Sequence, residues 1–261
     1  MPWFSWLGSP IIRALDEEQA GVVLAALVPY PELEYDAEYI AAAIAERWPS
    51  RVVAFLGERQ AYARADGVPR RYDAVPFEVH QLKPPLSAVP DIMLAGARTW
   101  FDAEPRYFTY DGGKLLASVF PDLSNGLDAR LATLIAGGNE QDLAFVLGVL
   151  SAFEGKPPIY EHVRAIVATL NPESQLLREA HSVLRESGVV SGEFGFVDLH
   201  AGRKAMLKEW LADPREMVQK FAAEHIRELD QSIAAANRSA EASIALRKLE
   251  YGEELDDGEE R

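Results

Sequence analysis

The chain has no cysteine among its 261 residues. That excludes disulfides, thiolate metal ligands and a thiol nucleophile, and it fits a reducing compartment. Long hydrophobic runs are also missing. The longest, Val22 to Val28, falls far short of the roughly 20 residues that a membrane span needs. The stretch Met1-Pro2-Trp3-Phe4-Ser5-Trp6 has no basic region ahead of an apolar core, so no secretory signal is expected and the cytoplasm is the expected location. Positive charge is in deficit: 26 Lys and Arg face 41 Asp and Glu, for a formal net charge of −15. Such a chain is repelled by nucleic-acid phosphates and by anionic lipid. The charge argues against direct nucleic-acid binding and against a membrane surface, and it favours a basic protein partner.

Catalytic signatures are missing as well. Of the histidines His80, His162, His181, His200 and His225, no two are three to five residues apart, so no His-x-x-x-His metal pair is present. His181 and His225 read as packing or surface residues. Asp111-Gly112-Gly113-Lys114 lacks the leading glycine and trailing hydroxyl of a phosphate loop and reads as a turn. No Gly-x-Ser-x-Gly elbow occurs. The glycines of Gly188 to Phe196 lack dinucleotide spacing, although Glu193 is available there. The expectation is no catalytic residue, no metal ligand and no cofactor, hence a non-enzymatic protein. Arg64, Arg70 and Arg71, with Tyr72, form the main basic cluster and read as an exposed loop.

What the sequence does contain is helical periodicity. Asp16 is placed to cap a helix through Val28, and Asp36 one from Ala37 to Trp48. Further helices are expected at Arg51–Arg64, Asp91–Phe101, Lys114–Phe120, Leu127–Ala136, Gln141–Phe153, Ile159–Leu170, Ser174–Glu186 and Val197–Leu211, with Gly137-Gly138-Asn139 as a turn. A last helix runs uninterrupted from Arg215 to Tyr251. Its apolar stripe, Val218, Ala222, Ile226, Leu229, Ile233, Ala236, Ala240 and Ile244, thins to alanine after Ile233. Between Asp66 and Pro90 five prolines break the pattern. That stretch is an ordered connection or a hinge, with Val75 to Val79 a candidate extended segment. The implied organisation is an N-terminal helical segment (1–65), a Pro-rich connection (66–90), helical repeats (91–233), a docking or capping helix end (234–249) and an acidic disordered tail (250–261).

Two stretches share one pattern. Asn171-Pro172 precedes Leu176, Ala180, Val183 and Leu184, and Asp213-Pro214 precedes Val218, Ala222, His225, Ile226 and Leu229. An Asx residue caps, proline sits in the first turn, and a small alanine permits close helix approach. The starts lie about 42 residues apart, within the roughly 40–47-residue period of HEAT-type units. The window Leu211 to Ala223 resembles the inner-helix signature of HEAT repeats, with Gln219 where Arg is common. The C-terminal half is also similar to helical regions of large bacterial multidomain proteins, including NTPase-type defence proteins. This resemblance implies an all-α, irregular α-solenoid of stacked helix pairs with a recognition or scaffold role, and it transfers no catalytic residue.

The densest aromatic group, Trp100, Phe101, Tyr107, Phe108 and Tyr110, is either a partner-binding patch or packing between irregular helices. Ile244, Leu246 and Leu249 are candidates for partner docking from the final helix. Two further readings remain: a HEAT-like DNA glycosylase, disfavoured by charge, and an acidic inhibitor or immunity-type protein that blocks a basic partner. Oligomeric state is not encoded in these patterns.

Overall fold

A computed structural model describes residues 10–33, 35–69, 71–76, 79–153, 156–185 and 190–251, the side chains of 249–251 excepted. The acidic segment 252–261 and part of the candidate extended segment, Phe77 and Glu78, lie outside the described residues. Among the described residues the fold is all-α, with thirteen α-helices and no strand. No helix among them is long and apolar enough to cross a membrane. The chain divides into two compact units, Met1–His162 and Val163–Arg261.

The first unit holds α1 (Glu17–Leu27), α2 (Tyr35–Ala45), α3 (Pro49–Ala63), α4 (Lys83–Ser87), α5 (Pro90–Ala103), α6 (Pro105–Phe108), α7 (Lys114–Val119), α8 (Leu127–Gly137) and α9 (Glu140–Ser151). The unit boundary falls within α10 (Pro157–Thr169). Local chemistry sets the helix starts. Asp16 Oδ1 accepts from the Gln19 amide at 2.8 Å, and Gln19 Oε1 accepts from the Asp16 amide at 3.1 Å, a reciprocal cap for α1. Proline opens α3, α4, α5 and α6, where no N–H is required. Gly138, at φ 66°, ends α8, and the Asn139 side chain accepts from the Gln141 amide at 2.9 Å to start α9.

Two buried ionic side chains order the Pro-rich connection. Arg59 on α3 is fully buried and donates to the carbonyls of Leu27, Val28, Tyr30, Asp73 and Ala74, at 2.5–3.1 Å. It ties the end of α1 to the segment around residue 73. The Tyr72 hydroxyl donates to the Val28 carbonyl beside it, and the Arg59 guanidinium lies 4.7 Å from the Tyr72 ring centroid. Glu38 on α2 is also buried, and its Oε1 accepts from the amides of His80, Gln81 and Leu82 at 2.7–3.1 Å. That carboxylate anchors the entry to α4. The prolines therefore sit in a connection pinned at both ends.

Residues 105–113, which include most of the Asp111-Gly112-Gly113-Lys114 stretch read from sequence as a turn, are helical. After α6 the backbone widens into a π-turn, Thr109–Gly113, and then continues as α7. The glycines explain this. A Cβ on Gly112 would lie 2.8 Å from the Phe108 ring, and one on Gly113 would lie 3.0 Å from the Ala152 Cβ. Residues that look like loop formers in sequence are here clearance for buried aromatic packing.

The second unit contains α11 (Leu176–Arg185), α12 (Gly195–Lys208), a 3₁₀ turn (Glu209–Ala212) and α13 (Glu216–Tyr251). α12 packs along α13. Asp213 is buried in front of α13. It accepts from the Arg215 amide at 2.9 Å, from the Arg215 Nε at 2.7 Å and from the Arg164 Nε at 2.7 Å. These bonds hold its carboxyl well below the usual carboxylate range, the Arg215 side chain contributing most. The tie from Arg164 links α10 to α13. Asn171-Pro172 behaves differently: it forms a separate turn, and α11 begins later, at Leu176. On α13 the buried face is Val218, Phe221, Ala222, His225 and Leu229, so His225 points inward while Ile226 is half-buried.

Candidate functional site

The sequence-selected aromatics separate into two groups. Trp100 and Phe108 are buried, whereas Tyr107 and Tyr110 are exposed. Phe108, Phe101 and Phe145 form a cluster with centroids 5.4–5.9 Å apart, Phe101 meeting the other two edge-to-face. Phe108 is thus core. Tyr110 lines a cleft of about 550 Å³ with Tyr72, Asp111, Lys114 and Lys156. Asp111 there is ion-paired to Arg64 at 3.2 Å, and burial pushes its carboxyl pKa up. Lys156 is paired with Asp122 at 2.9 Å. On α13, Ile244 is half-buried, Leu246 is exposed and the Leu249 side chain lies outside the described residues. Ala240 is buried, and Arg247 is ion-paired with Glu193, so this helix end is tied back within its own unit.

Trp100 belongs to a second feature, a trough between α3 and α5. The two helices cross closely because glycine sits at both contact points. A Cβ on Gly57 would lie 2.3 Å from the Trp100 indole nitrogen, and one on Gly96 would lie 2.1 Å from Val53 Cγ1. The positions that face outward beside this crossing carry short side chains: Ala54, Ala61, Ala95, Thr99 and Ala103, all exposed. Close helices with short outer side chains leave a depression of about 650 Å³. Trp100, Gln60, Glu58 and Arg64 also line it. Gln60 is buried, and neither its Nε2 nor its Oε1 has a hydrogen-bond partner. A buried amide in that state costs about 1–3 kcal/mol.

Sequence spacing missed one cluster entirely. His181 on α11 and His225 on α13 face each other, with their Nδ1 atoms 2.7 Å apart. Glu228, one turn beyond His225, places Oε2 at 3.7 Å from His225 Nδ1 and 4.0 Å from His181 Nδ1. Among the described residues no other group of three or more such side chains is spaced to share an ion. The rings stack within 5.0 Å of each other and against Phe221. Burial depresses both imidazole pKa values, that of His225 to about 4. Both rings are therefore neutral near pH 7. Arg185 holds Glu228 Oε2 at 2.5 Å. The i, i+3 pair His225 and Glu228 was visible in sequence, but the third member arrives only through the packing of α11 on α13.

Comparisons of this chain with protein families, with curated proteins and with solved structures give no match.

Proposed function

We propose that the chain is a protein-binding helical scaffold of HEAT-like character, and that the α3–α5 trough receives an amphipathic helix from a basic partner. One observation carries the reading: a largely apolar trough beside Trp100 whose outward positions Ala54, Ala61, Ala95 and Ala103 are all exposed. A helix laid there buries apolar surface against Trp100 and the alanines, at about 25 cal/mol per Å². The net charge of −15 favours a partner whose outward face carries Lys and Arg. The HEAT-like character is supported by the second Asx-Pro stretch, where Asp213, Val218 and Ala222 are all buried.

The test is affinity capture from the native host, followed by purification of the captured chain and a binding titration. Ala95→Arg and Ala61→Arg each put a long cation into the trough from an exposed position. We expect each to weaken the purified partner at least tenfold while the melting temperature stays within about 2 °C, a shift set by the ~1 kcal/mol scale of surface changes. Equal affinity for wild type and both variants contradicts the trough as the docking surface.

A further inference from the structure

We propose that His181, His225 and Glu228 form a binding site for a divalent transition metal of the zinc class, clipping α11 to α13. The donor set is two imidazoles and one carboxylate, which is the chemistry such ions prefer. The three nearest ligand atoms lie 2.7, 3.7 and 4.0 Å from one another. Tetrahedral coordination with bonds of about 2.0–2.1 Å requires spacings of roughly 3.3 Å. The imidazole nitrogens must part, and the carboxylate must approach, each by about 0.7 Å or less on that geometry. Side-chain rotation supplies such movements without moving the helices.

The surroundings suit an ion at this point. His225 is buried and His181 nearly so, and Phe221 stacks on both rings and limits their orientation. Glu228 is 39% exposed, which opens a path for the ion and a fourth position for water. Arg185 grips Glu228 at Oε2 and fixes the carboxylate, as an outer-shell donor does in metal centres. Oε2, the oxygen that faces the imidazoles, accepts from Arg185 with one lone pair and keeps the other for the ion. In the metal-free pair one Nδ1 carries the shared proton, because two bare lone pairs do not approach to 2.7 Å. That proton belongs to His181, the more exposed ring, and on metal binding it moves from Nδ1 to Nε2 of His181 through solvent, since Nε2 of His225 is sealed. Both imidazoles remain neutral, and no net proton is lost.

The experiment uses the full chain and two probes, Zn²⁺ by calorimetry and Co²⁺ by visible absorption. Wild type is expected to bind one equivalent of Zn²⁺ and to give the intense d–d bands of tetrahedral Co²⁺. Octahedral ions loosely held by surface carboxylates give only weak bands. Glu228→Gln changes a partly exposed residue, and His181→Gln removes one imidazole. Each is expected to weaken Zn²⁺ at least tenfold and to abolish the tetrahedral bands. Circular dichroism establishes that each variant is folded. His200→Gln serves as the control and is expected to leave binding unchanged. Absence of tetrahedral bands in wild type, or their persistence in both ligand variants, overturns the proposal. Partner capture through the α3–α5 trough is a separate readout, so failure of one reading leaves the other standing.

Discussion

Arg59 and Asp213 are buried charged residues, each held by several hydrogen bonds. Arg59 spends its guanidinium on five backbone carbonyls from two chain segments. A lysine keeps the charge but not the planar fork. Arg59→Lys is expected to destabilise the first unit by about 3 kcal/mol, the scale of losing charge-assisted hydrogen bonds in a buried setting. Urea denaturation checks this, and a change below about 1 kcal/mol contradicts the role given to Arg59. Asp213 is the corresponding residue of the second unit. Its folded-state pKa lies below its unfolded value, so its ionised form stabilises the fold above the ordinary carboxylate pKa. That stability is lost as pH falls through the folded value. Asp213→Asn should therefore melt several degrees lower than wild type at pH 7. Below about pH 4, where the unfolded-state carboxylate protonates, the gap should narrow. A gap independent of pH down to the acid limit would falsify this account of Asp213.

At the scale of elements, the α3–α5 crossing is set by glycine. Gly96→Ala places a Cβ 2.1 Å from Val53 Cγ1, and the side chain there is part of the core and cannot swing away. Overpacking of this kind costs about 1–3 kcal/mol. In Val53→Ala the clashing methyls are gone, so the double variant should be more stable than the sum of the two single effects predicts. A double-mutant cycle on melting free energies reads the coupling, and strict additivity contradicts the close crossing. Most helix positions were legible from periodicity and from the local Asp16 cap, but α4 was not, because its prolines read as helix breakers in sequence and open a helix in the structure. The π-turn was not legible. Gly112, Gly113 and the neighbouring aromatics carry the same composition as a loop, and only their packing against Ala152 and the Phe101–Phe145 cluster makes them helical. Asn171-Pro172 and Asp213-Pro214 look alike in sequence but differ in structure. Only Asp213 gains arginine partners that hold it at a helix start.

Over the whole molecule, the two proposed sites lie in different units, the trough in Met1–His162 and the His181, His225 and Glu228 cluster in Val163–Arg261. Neither was visible as a motif. The trough is made largely of alanines and glycines, residues with no chemical signature. The histidines stand 44 residues apart in sequence and meet only in the fold. The end of the final helix, read from sequence as a docking or capping element, has Ala240 buried and Arg247 paired with Glu193. Truncation after Ile233 is therefore expected to lower the melting temperature and to leave partner affinity intact. The most direct measurement of the central claim is site-specific photocrosslinking in the native host. A photoreactive residue at Ala95, inside the trough, is predicted to give a defined adduct with the partner, and one at exposed Val22 on α1 is predicted to give none. An adduct of equal yield from both positions, or from Val22 alone, would contradict the trough as the place where this protein holds its partner.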